Sequence, residues 1–139
     1  TIVEAVRRDG DAEIVRQMRK WTDPGFAPER IRVGEDELDA AEKKLSGPLR
    51  DAITSSIEHV RAYQSHILPQ SPQTLVIDGA ELGLRFGPVD SAGLTVPGGT
   101  AVLFSTVIML AVPAQVAGVT EIVICTPPGR GGASLCAQA

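Results

Sequence analysis

Residues 92–125 constrain the fold more than any other stretch. An extended run, Ala92 to Val96, leads into Pro97-Gly98-Gly99. An apolar pattern at helical spacing follows from Ser105 to Ala117, and Glu121-Ile-Val-Ile-Cys125 is a second short apolar run closed by Pro127-Pro128. Strand, glycine loop, helix and strand within roughly thirty residues make a βαβ unit. Such a crossover joins parallel strands, and the unbroken apolar character of the second run is that of a buried strand.

The residues before this unit divide at Pro69. Ahead of it the pattern is helical. Ile2, Val3 and Val6 share one face of a short helix that Asp9-Gly10 interrupts; Asp11 then caps a second helix carrying Ile14, Val15, Met18 and Trp21, which Asp23-Pro-Gly ends. After a turn from Phe26 to Val33, Glu35, Asp36 and Glu37 open a third helix and Lys43 and Lys44 lie near its end, the arrangement favoured by the helix dipole. Its inner face is Leu38, Ala41 and Leu45. Pro48 suits the first turn of a longer fourth helix with Leu49, Ile53, Ile57, Val60 and Ile67 along one side. The four helices are expected to pair as two hairpins. Beyond the linker Pro69 to Pro72, Thr74-Leu-Val-Ile77, Asp78-Gly79 and Glu81 to Phe86 read as strand, two-residue turn and strand. The expected domains are therefore 1–68, helical, and 69–139, the start of an α/β domain.

Composition removes several classes of function. A formal net charge of -4 leaves no basic surplus to neutralise a phosphate backbone, and an aromatic content of 4% leaves few rings to stack on bases, so nucleic acid is not an expected partner. The apolar stretch Ala101 to Val119 is interrupted by Ser105, Thr106, Pro113, Gln115 and Gly118 and has no Lys or Arg flanks, so it reads as a buried helix and not a membrane span. Two cysteines, Cys125 and Cys136, without CxxC spacing fit a reducing compartment, and cytoplasm is the expected location. The chain begins at Thr1 within an amphipathic pattern and stops at Ala139 a few residues into a helix-like segment, which reads as a fragment of a longer protein.

The loop Thr95-Val-Pro-Gly-Gly-Thr100 is the one stretch shaped for a ligand. Glycines after a strand let the backbone approach a bound group, and the following helix offers free N–H groups to a phosphate. A turn that merely needs glycine explains the same residues, and the GxGxxG fingerprint is absent. His59 and His66 are seven residues apart, about 10 Å along a helix, too far to share one zinc. Cys125 reads as a small core residue and Asp9-Gly-Asp11 as a break and cap. Arg130 with Gly131-Gly132 reads as a turn. No complete catalytic constellation or metal site is present.

Taken together, Val96-Pro-Gly-Gly99, Ser105-Thr-Val-Ile-Met109, Pro113-Ala-Gln-Val-Ala-Gly-Val119 and Val123-Ile-Cys-Thr-Pro-Pro128 resemble, in residues and in spacing, the signature region of the histidinol dehydrogenases. Val6-Arg-Arg-Asp-Gly-Asp11 resembles an early motif of the same family, and Ala52 to Gln64 its long helix. The resemblance implies the amino-terminal part of an aldehyde-dehydrogenase-like, Rossmann-type enzyme: a helical arm, a β-hairpin and the first βαβ unit. It implies a zinc-dependent homodimer oxidising L-histidinol through the aldehyde to L-histidine with NAD, its zinc ligands and catalytic Glu-His pair lying beyond these residues. The cofactor-binding positions it implies here are Thr95, Pro97, Gly98, Gly99 and Ser105. Thr95 departs from the family pattern, which has a tyrosine there. That departure leaves open a related dehydrogenase acting on another alcohol, of the sulfopropanediol type; a non-catalytic module binding a nucleotide or protein is the third reading.

Overall fold

The computed structural model describes residues 1–98 and 103–127. They form two compact units, one of Thr1–Leu45 with Gly98, the other of Ser46–Pro97 and Leu103–Pro127.

The first unit holds helices α1 (Ile2–Asp9), α2 (Asp11–Trp21) and α3 (Glu35–Glu42) and a 3-10 turn, Pro28–Arg30. Thr1 starts α1 through a reciprocal cap: its hydroxyl accepts from the Glu4 N–H at 3.3 Å while the Glu4 carboxylate accepts from the amino terminus at 2.7 Å. α1 and α2 pack together across a single residue, Gly10, at φ 58. The expected cap at Asp11 is not formed. Gly10 occupies the cap position without a side-chain bond, and Asp11 is the first helical residue. At such a short junction the chain needs a left-handed φ, which glycine adopts without strain.

The segment after α2 is tied down by side chains. Asp23 accepts from the Gly25 N–H at 2.9 Å and from Arg30 Nη1 at 2.7 Å, and Arg19 Nε donates to the Phe26 carbonyl at 2.8 Å. These bonds hold Phe26, 4% exposed, as the core of this unit with Val15. Glu13 is buried as well; its charge is paired with Arg16 one turn on, and its Oε1 accepts from Gln17 Nε2 at 2.6 Å. The expected inner face of α3 is only partly covered: Ala41 and Leu45 are half-buried and Leu38 is exposed.

In the second unit, α4 (Gly47–Ile67) carries Pro48 in its first turn, as its sequence predicts. Its partner is α5 (Phe104–Ala117), so the expected second hairpin is replaced by packing between helices distant in sequence. Ile53, Ile57, Val60 and Gln64 are half-buried along α4, while Leu49 and Ile67 stay exposed; α5 contributes buried Ile108 and Val112. α5 is apolar on all sides, which is why Met109 is 66% exposed beside a buried neighbour. It ends at Gly118, φ 89, where the Val119 N–H bonds back to the Ala114 carbonyl at 3.1 Å, a Schellman closure.

Strands β1 (Leu75–Ile77) and β2 (Ala80–Leu82) pair antiparallel, Leu75 opposite Leu82 and Ile77 opposite Ala80. The turn is the expected one: Asp78 and Gly79 both have positive φ, 49 and 83, matching the right-handed twist of a hairpin. The second strand stops at Leu82, short of the expected Phe86.

β3 (Ser91–Thr95) and β4 (Glu121–Cys125) run parallel and in register, Ser91 opposite Glu121 and Thr95 opposite Cys125, with α5 as the crossover. The βαβ unit expected from the sequence is thus present, α5 starting one residue earlier, at Phe104. On β3, Ala92 and Leu94 are half-buried and Val96 is 0% exposed, whereas Gly93 and Thr95 are exposed. α5 therefore covers one face of this ribbon. Strand β4 is not buried on both faces as its composition suggests: Val123, on the face away from α5, is 50% exposed, and Ile124, on the other face, is 44% exposed, so α5 covers its own side of the strand only in part. No helix among the described residues is long and apolar enough to cross a membrane.

Candidate functional site

The ends of β3 and β4 and the start of α5 form one edge of the second unit, since a crossover helix begins where its first strand finishes. The ladder runs to the rim: the Val96 N–H donates to the Cys125 carbonyl at 2.8 Å. Thr95 is the last residue of β3 and is exposed on the face away from α5, opposite Cys125. Cys125 is likewise exposed, which corrects its reading as a core residue: odd positions of β4 turn to the uncovered face. Pro97 and Gly98 are exposed beyond the strand.

Across the loop, Leu103 occupies the cap position of α5 and makes no side-chain bond to the helix. The Thr106 N–H returns to the Leu103 carbonyl at 3.0 Å, and among the described residues the N–H groups of Phe104 and Ser105, in the first turn, have no acceptor. Ser105 is exposed in that first turn. Thr95 and Ser105 thus stand at the same edge of the unit. Gly99, the remaining expected site residue, lies outside the described residues, as do Arg130, Gly131, Gly132 and Cys136.

One polar group at this edge was not expected from the sequence. The Thr126 hydroxyl, immediately after β4, has lost its solvent exposure and has no hydrogen-bond partner among the described residues. Its signal in the sequence is weak: alternation from Ile122 through Ile124 places Thr126 on the side facing α5, but alternation alone does not reveal whether a partner exists.

Among the described residues there is also an apolar groove of about 300 Å³ lined by His59, Val60, Tyr63, Gln64 and Met109. His59 and His66 are both exposed. Among the described residues no three His, Cys, Asp or Glu side chains group closely enough to hold a metal ion.

The sequence profile described as histidinol dehydrogenase matches residues 1–137. The chain belongs to the histidinol dehydrogenase family. Curated histidinol dehydrogenases similar to it include that of Thermosynechococcus vestitus, 44% identical over 130 residues, and that of Symbiobacterium thermophilum, 41% identical over 131 residues. Each alignment covers 94% of this chain and 30% of the relative. The crystal structure of histidinol dehydrogenase from Elizabethkingia anophelis superposes with a TM-score of 0.86 at 30% identity, over 99% of this chain and 31% of that one. The chain thus spans about 30% of the length of the histidinol dehydrogenases it matches. Its mixed helix and strand architecture with small sheets is that of the corresponding part of the solved histidinol dehydrogenase.

Proposed function

We propose that this chain is the amino-terminal part of a zinc-dependent histidinol dehydrogenase that oxidises L-histidinol to L-histidine with two NAD+, and that it supplies part of the cofactor site. The observation that carries the proposal is the family match over residues 1–137 together with a parallel β3–α5–β4 unit whose strand ends converge on the open start of α5. In open α/β units, ligands bind at the carboxyl ends of the strands.

The residues at this edge suit a dinucleotide. Pro97 leads out of β3, Gly98 follows it in sequence without a side chain, and Ser105 with the first N–H groups of α5 gives donors and a positive dipole end to a phosphate. Gly99 continues the same loop in sequence. Thr95 takes the place of the tyrosine of the family pattern; its hydroxyl can bond to the cofactor but offers no ring. When bound, NAD+ accepts the hydride that leaves the alcohol carbon. What these residues do is hold and orient; no base for proton removal stands among them.

Zinc does not fit the described residues, which hold no cluster of ligands, so the metal and the groups that move protons belong in this reading to other parts of the protein. The homodimer, the Rossmann-type completion of residues 69–139 and a cytoplasmic location belong to the same proposal.

The test is NADH formation by the dehydrogenase that contains this chain, supplied with zinc and either L-histidinol or a sulfopropanediol. Turnover of L-histidinol is expected. Turnover of the sulfonate alone would transfer the chain to the alternative alcohol dehydrogenase, a reading that the loss of the tyrosine at Thr95 keeps specific. The 139-residue chain by itself is expected to form no NADH above background.

A further inference from the structure

We infer that Asp78-Gly79 is a site of spontaneous isoaspartate formation and that Asp9-Gly10, the other Asp-Gly pair of the chain, is protected from it by the fold. The inference does not depend on the cofactor or the alcohol. The reaction is internal to the chain. The Gly79 backbone nitrogen attacks Asp78 Cγ; an N–Cγ bond forms, the Cγ–OH bond breaks, and the hydroxyl leaves as water with the proton of the N–H. The resulting succinimide takes up one water. Addition at Cγ restores aspartate. Addition at the Asp78 main-chain carbonyl breaks its bond to Gly79, so that the chain runs on through Cγ and a carboxylate stays on Cα. Water is the only co-reactant, and nothing is oxidised or reduced. Glycine in second place favours the step because it has no Cβ to crowd its nitrogen.

The structure separates the two pairs at both reacting groups. The Asp9 carboxylate accepts from Arg8 Nε at 2.8 Å, from Arg8 Nη2 at 3.0 Å and from Arg16 Nη2 at 3.3 Å. Arg8 and, after it, Arg16 hold this carboxyl below the usual carboxylate range, and the ionised form resists attack because its charge repels a nucleophile. The nucleophile is engaged as well: the Gly10 N–H donates to the Val6 carbonyl at 2.8 Å, closing the end of α1.

At Asp78 neither restraint is present. Its carboxylate makes no hydrogen bond or ion pair among the described residues, and the Gly79 N–H has no acceptor among them. A two-residue hairpin turn closes through the N–H of the residue that follows it, which leaves the N–H of its second member free. A Cβ built on Gly79 would meet nothing within 4 Å, so a ring has room. Ring closure takes Asp78 out of its turn conformation, φ 49, which an L residue holds at a cost. The ladder that resists this runs only from Leu75–Leu82 to Ile77–Ala80 and is exposed at every position; a two-stranded hairpin of that kind opens readily. Isoaspartate lengthens the main chain between residues 78 and 79, so the pairing of Leu75 with Leu82 is expected to be lost with it.

The test ages the full-length dehydrogenase in warm, mildly acidic buffer, beside Asp78→Asn, Asp78→Glu and wild type unfolded in guanidinium chloride. Samples are digested, isoaspartate is located by fragmentation across the Cα–Cβ bond, and its amount is read from methyl transfer by an isoaspartyl methyltransferase. Folded wild type is expected to accumulate isoaspartate at position 78, by way of a species lighter by one water, while position 9 stays at the level of fresh protein. Asp78→Asn is expected to convert faster, with release of ammonia, and Asp78→Glu, which would have to close a larger ring, not to convert. In guanidinium chloride both Asp-Gly pairs are expected to convert.

Folded wild type without isoaspartate at position 78 after Asp78→Asn has converted would overturn the inference, as would equal conversion at positions 9 and 78. A difference between the two positions that persists in guanidinium chloride would also overturn it, since neighbouring sequence and not the fold would then protect Asp9.

Discussion

Arg61 on α4 donates from Nη2 to the Gln115 Oε1 of α5 at 3.0 Å, a bond between residues 54 apart in sequence. It marks the contact on which the second unit is built, yet it is not what holds the contact. Both side chains are exposed, and a hydrogen bond that exchanges for water contributes about 1 kcal/mol at most. The apolar groups beneath it, Ile108 at 7% and Val112 at 4% exposure, carry more. Gln115→Ala is expected to lower stability by about 1 kcal/mol or less and Ile108→Ala by about 2–5 kcal/mol. Urea denaturation compares the two, and equal losses would mean that the polar bond, not the packing, joins the helices.

The end of α5 depends on a single residue. Gly118 stands at φ 89, and the Schellman bond of Val119 to Ala114 forms only from that conformation. A side chain placed there would meet nothing closer than Pro88 Cγ at 3.6 Å, an ordinary contact, so the cost of substitution is in the backbone. Gly118→Ala is expected to destabilise by about 1–2 kcal/mol. Thermal melting should show the loss, and an unchanged melting temperature would mean that the helix end relaxes without cost.

Acid should loosen the segment around Phe26. The Arg30 guanidinium and, after it, the Gly25 N–H hold the Asp23 carboxyl below the usual carboxylate range. A carboxyl whose folded value is depressed contributes stability that is fully present above its ordinary value, about 3.9, and is lost as pH falls through the lowered one. Wild type is therefore expected to exceed Asp23→Asn in stability near pH 6, with the gap closing as the solution is acidified below pH 4. A gap that stays constant with pH would show that the interaction does not depend on the charge of Asp23.

The sequence disclosed the parts of the fold that rest on local chemistry. Asp78-Gly79 announced its turn because only a residue pair tolerant of positive φ closes a two-residue hairpin, and the βαβ unit followed from period and order. The cap at Thr1 has the Thr-x-x-Glu form but was not read from it. What stayed hidden depends on partners far along the chain. No pattern says that α4 packs on α5, nor that Glu13 is buried, since its pairing with Arg16 and its bond from Gln17 are a matter of rotamers. β4 reads as doubly buried, yet among the described residues only α5 covers it. At the candidate site, Thr95, Pro97, Gly98 and Ser105 were proposed from the glycine loop and the family pattern. Thr126 was not, because an unpaired hydroxyl is visible only once its surroundings are in place.

Thr95 offers the sharpest probe of how a cofactor would lie across this edge. It is exposed on the face away from α5, so a larger side chain meets solvent and not the core, and Thr95→Tyr is expected to change stability by no more than about 0.5 kcal/mol. A dinucleotide whose pyrophosphate sits at the start of α5 can still extend past the strand ends to this face. A tyrosine there would then pack its ring on the cofactor, and NAD+ affinity is expected to rise by roughly threefold to tenfold, the range of an aromatic contact. The full-length dehydrogenase carrying Thr95→Tyr, titrated with NAD+ beside wild type, measures this. Unchanged or weaker binding at unchanged stability would mean that the cofactor stays on the α5 side and that the end of β3 does not touch it.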